Sequence, residues 1–242
     1  MTSEEKILAW HFLKDDRKLR FFPYTEVTPG SIVTATGELM MCNNGCHASI
    51  EPLDALKYAP GPIVCRVEVF GEILKGSDKL CARHRKVLWM ADATNALHEF
   101  ACCCVEQALF REHKAGRDTD QRSWIMIDVH RRWLRGEVSD DEEYSAWNDA
   151  RAGRKAIETR AVNDNMSAEA RSAAWTAAHA AARLPTAATG MWYMAQTISY
   201  ELIMCVEPIK IAGGILEARR MVWEEQNTKL KELLQNLNGE YC

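Results

Sequence analysis

The feature that most constrains the fold is a change of hydrophobic period near residue 91. Before it, Ile63, Cys65, Val67 and Val69 alternate with Val64, Arg66, Glu68 and Phe70, the period-two pattern of a strand. After it, Leu97, Phe100, Ala101, Cys104, Val105, Ala108 and Leu109 form a stripe at helical spacing, which Gly116 ends. The chain therefore reads as α+β. A β-rich part with one short helix is expected over residues 1–91, and an α-helical bundle over 92–242. The two are expected to pack together without a linker.

Within the first part, residues 6–13 read as a strand, 18–22 as a second short one, and 31–41 as a third. The Asn43-Asn44-Gly45 run tolerates the left-handed backbone of a tight turn. Pro52 suits the first turn of a helix carrying Leu53, Leu56 and Ala59, and Pro60 stops it. The next strands are expected at 63–70 and 86–90. Further helices follow: one capped near Asp118–Asp120 and closed at Gly136, one opened by the Ser139/Glu142 capping box, then 167–183, 187–206 and 214–236. Ala146-Trp147 recurs as Ala174-Trp175, so close-packing alanines with tryptophan bulk are expected in the bundle, and Trp147, Trp175 and Trp192 in its core.

A net charge of −4 argues against binding nucleic acid over a broad basic surface. The most apolar late stretch, 191–206, is short and carries Gln196, Thr197, Ser199 and Glu201, so no membrane span is expected. No basic segment followed by an apolar run opens the chain. Nine cysteines, three of them consecutive at 102–104, suit no regular disulfide framework, and reduced thiols in a cytoplasm are the simpler reading.

Four groups are candidate sites. Cys42, Cys46, Cys81 and His84 have the count and residue types of a zinc site, at irregular spacing. His98, Cys102 and Glu106 follow at four-residue steps on one helix side, where a His could activate a thiol, although one helix face seldom converges with an oxyanion site. Arg131, Arg132 and Arg135 precede Asp140, Asp141 and Glu142; the acids suit a helix start, and the two sets are candidate interface residues or each other's partners. His47, Ser49 and Tyr58 flank the turn and short helix and are candidate ligand-binding residues.

Gly45 to Ser49, Ala55 to Gly61 and Trp89 to Thr94 carry Gly-x-His-Ala-Ser, Ala-Leu-x-Tyr-Ala-Pro-Gly and Trp-Met-Ala-Asp-Ala-Thr. On these motifs the segment resembles a phage and prophage domain of unknown function. The alanine-tryptophan helices resemble those of immunity-type proteins. The resemblance implies a phage-encoded, non-enzymatic accessory protein that binds and inhibits a host protein, located in the host cytoplasm. The same turn-helix-strand order is similar to ADP-ribosyltransferase-like folds, which would imply NAD or ADP-ribose bound near His47, Ser49 and Tyr58. A structural virion component is the third expectation. No catalytic constellation is evident, and neither zinc nor NAD is required by the sequence.

Overall fold

The computed structural model describes residues 5–21, 24–163, 168–182, 191–204 and 214–238. The chain divides into two compact units, Met1–Ala96 with Leu230–Cys242 and Leu97–Lys229.

The first unit is built on five antiparallel strands: β1 (Lys6–Leu13), β2 (Ile32–Thr34), β3 (Cys46–Ala48), β4 (Ile63–Lys75) and β5 (Leu80–Asp92), with α1 (Pro52–Lys57) between β3 and β4. The order is β1-β4-β5-β2, and β3 pairs with β5 beyond the end of β2. The sheet closes on itself. Trp10 N–H donates to the Ser49 carbonyl at 2.7 Å and Ser49 N–H returns to Trp10 at 3.0 Å, so the chain leaving β3 zips onto the free edge of β1. Closure removes two strand edges that would otherwise present unpaired backbone groups. Ala9, Leu13, Ala48, Ile63, Cys65, Val67, Val69, Leu80, Ala82 and Val87 pack into one buried cluster. Trp10, on the alternate face of β1, packs edge-on to Trp89 at 5.8 Å and lies beneath the Arg66 guanidinium. α1 packs on β1.

The strands differ from the sequence reading in length. β5 starts at Leu80 rather than 86, and β4 runs on to Lys75. The span 31–41 contributes only Ile32–Thr34, and residues 46–48, read as part of a turn, are a strand. Lys18 forms an isolated bridge with Glu26, so residues 17–21 and 24–27 pair as two short arms of a hairpin rather than as a further sheet strand. Phe22, in the strand expected at 18–22, lies outside the described residues.

The helices are α2 (Thr94–Lys114), α3 (Gln121–Leu134), α4 (Asp140–Asn163), α5 (Ala168–Ala181), α6 (Met191–Met204) and α7 (Ile215–Asn236). In the second unit α3 packs on α4 and α5, α4 on α5, and α5 on α6. Ser139 and Glu142 close the expected capping box: Ser139 N–H donates to Glu142 Oε2 and Glu142 N–H to Ser139 Oγ. Ala146, Ala150, Ala174, Ala177 and Ala178 are buried, and Ala174 and Ala178 of α5 pack on Ile157 of α4. Trp147 and Trp175 are not core, however, but partly exposed at the rim. The Trp147 indole donates to the Ala182 carbonyl at 2.7 Å, and Trp175 stacks on His179. Small residues let helix backbones approach, which leaves an indole room only at the margin. The Trp192 side chain lies outside the described residues. Among the described residues no helix is long and apolar enough to cross a membrane.

Candidate functional site at the β3 turn

Residues 40–47 form a tight loop leading into β3. Gly45 adopts φ 145°, and a side chain there would run into Cys81 Sγ, so glycine is needed on both counts. Cys42 has φ 67° and presents its N–H to His47 Nε2 at 3.1 Å. Burial, then the charges of Lys79 and Arg85, hold His47 below the usual histidine range, and the Gly45 backbone acts in the opposite sense. A neutral imidazole with Nε2 as acceptor is what that bond requires. His47 therefore clamps the loop.

Ser49 is buried, and its backbone forms the seam with Trp10. Tyr58 caps α1 and is exposed. Its hydroxyl donates to Asp78 Oδ2 at 2.7 Å, and Lys79 Nζ lies over one ring face at 4.2 Å. Lys57 reaches Asp54 at 2.8 Å and Asp78 at 3.6 Å. Burial tends to raise the Asp78 carboxyl, but the Tyr58 hydroxyl with Lys57 and Lys79 brings it below the ordinary value. The Cys42 side chain, together with Tyr58, holds Lys79 above its ordinary value, so it stays an ammonium and not a nucleophile. Lys79 thus stands between the His47 loop and Tyr58. His47 and Tyr58 border one surface cluster, while Ser49 belongs to the sheet seam. The sequence reading missed Asp54, Lys57, Asp78 and Lys79; the Gly76-Ser77-Asp78 turn was visible, but not what it faces.

Among the thiols proposed for zinc, Cys46 Sγ donates to the Val33 carbonyl at 3.4 Å and Cys81 Sγ to the Asn44 carbonyl at 3.3 Å. Burial raises both above the ordinary thiol value and favours the protonated form, the wrong one for a ligand. His84 instead bonds Thr34 Oγ1 and stacks on Phe70 at 4.9 Å. Among the described residues no group of three or more His, Cys, Asp or Glu is placed to hold a metal ion.

In the second unit, Arg131 bonds Glu99 and Glu106. Arg135 and Arg132 face Glu137 at 2.6 and 4.0 Å, Asp140 accepts from the Trp133 indole, and Glu142 serves the cap, whereas Asp141 is exposed. The basic and acidic sets therefore find partners elsewhere rather than in each other. His98 does not serve Cys102: its Nδ1 is hydrogen-bonded at 2.9 Å to His130 Nε2, whose Nδ1 meets Glu143 at 2.5 Å. Burial pushes the Cys102 thiol well up, so it is no nucleophile.

Residues 7–99 match the family model of a domain of unknown function, DUF7666. The DUF7666 match takes in the closed sheet from Ile7 onward, the His47 loop and α1, and ends in the second turn of α2. No curated protein and no solved structure was found to match the chain.

Proposed function

We propose that this chain acts by binding a partner protein, not by catalysis, and that the hairpin arms 17–21 and 24–27 make the contact. One observation carries this reading. The hairpin exposes Phe21 and Tyr24 at 73% and 60%. It is held by Leu19 N–H to Thr25 and Val27 N–H to Arg17, both at 2.9 Å, and rooted by Val27 in the sheet core. Large aromatics on a rooted support are the usual anchors of a protein interface, since they bury much area at little entropic cost. Arg20 lies over the Phe21 ring at 5.5 Å and adds a charge beside it.

The resemblance to phage and immunity-type proteins supports the finer reading: the partner is a host protein, and binding blocks it. The NAD-related alternative would require His47 to release the Cys42 N–H and Tyr58 to release Asp78 before either could take a ligand.

A photo-crosslinking residue at position 21 of the full chain tests the proposal. One discrete adduct is expected from host lysate, lost when Tyr24→Ala is added and not formed from a crosslinker at Gly116. No discrete adduct, or the same adduct from both positions, overturns it.

A further inference from the structure

Among the described residues, the closed sheet holds a cation with no acid acting on it. Arg85 lies on β5 opposite Val33 of β2 and Val69 of β4, and only 5% of it is exposed. Nη1 donates to the His47 carbonyl at 2.6 Å, a bond that ties β5 to β3. Nε is buried and has no hydrogen-bond partner. The titratable groups acting on Arg85 are the thiols of Cys46 and Cys65, and Arg85 acts in turn on His11 and His47. No carboxylate is among them. Burial pushes the Cys65 thiol up to about 12 and raises Cys46 as well, so both are neutral near pH 7 and offer no counter-charge.

A guanidinium buried without an anion and with an orphan donor is costly. Tying β5 to β3 uses one of its five N–H groups. The remaining donors suit an oxyanion, whose two oxygens match the planar fork.

His11 supplies the second observation. It alternates on β1 with Ala9 and Leu13, which are 0% and 2% exposed, yet it keeps part of its surface open. His11 thus faces the same interior as Arg85, near enough for the guanidinium charge to act on its ring. Burial, then Arg85, keeps the ring well below the usual histidine range. As a neutral imidazole it can donate one hydrogen bond to an anion without adding a second buried charge.

We propose that Arg85 and His11 bind the oxyanion of a small ligand, a carboxylate or a phosphate. This site is independent of the hairpin contact and shares no residue with it.

The test is the ¹⁵N NMR signal of the Arg85 Nε–H in the full chain. The signal is assigned with Arg85→Lys, or, if that variant does not fold, by its proximity to His11 and Cys65 protons in the unaltered protein. Inorganic phosphate, succinate and chloride are titrated at matched ionic strength. A saturable shift of this signal with phosphate or succinate, accompanied by a raised Tm, is expected, and the anion that acts first identifies the source. His11→Ala should weaken that anion about tenfold. If neither oxyanion moves the signal more than chloride does, the proposal is wrong.

Discussion

At the residue scale, Gly45 is the position with least freedom. Its φ of 145° and the Cys81 sulfur in the path of any Cβ act together. Gly45→Ala should cost about 3 kcal/mol, combining backbone strain with overpacking. Urea denaturation would measure it, and an unchanged midpoint would contradict the geometry of this turn. His47 teaches a related lesson. In sequence a histidine after Gly-Cys looks like a ligand, yet its Nε2 accepts a backbone N–H five residues back. A histidine beside a turn often satisfies the turn, and only the partner atom tells which.

At the element scale, the line His98–His130–Glu143 joins α2, α3 and α4 through two hydrogen bonds, with Trp133 stacked on His130. Burial, then His130, lowers His98 from the ordinary 6.5 to about 4. The folded unit therefore refuses a proton that the unfolded chain accepts. Its contribution is fully present above pH 6.5 and is lost as pH falls through that window to about 4. The loss is about 3 kcal/mol. Thermal melts between pH 7 and 4 should show this slope, and His98→Gln should flatten it; equal slopes would show that other groups set it. The helices were legible because a 3.6-residue stripe and a capping box are local signals. The relay was not, because His98 and His130 are 32 residues apart.

At the scale of the whole molecule, the DUF7666 match covers residues 7–99, but the unit that holds most of it, Met1–Ala96, also includes Leu230–Cys242. Leu230 and Leu234 are fully buried. Ending the chain at Lys229 should therefore destabilise the sheet unit by about 4 kcal/mol or more, two buried leucines' worth. The Trp10–Trp89 pair reports on that unit by near-ultraviolet circular dichroism. An unaltered unfolding transition of that signal after truncation would show that the C-terminal segment contributes nothing to it.

From the sequence alone came the α+β class, the period change that separates strands from helices, and the bounds of β1 and α3 to within a few residues. These follow from local periodicity and capping, which each segment carries by itself. The tertiary structure decided the rest. β5 was read as 86–90 because that stretch alone is apolar enough for a buried strand, whereas pairing with β2, β3 and β4 makes the whole of Leu80–Asp92 a strand. β3 has three residues and no pattern of its own; it exists because β5 bonds it along one side and Trp10 bonds Ser49 just beyond it. The same closure buries Arg85. Its burial comes from strands far apart in the chain, so no window of sequence contains it.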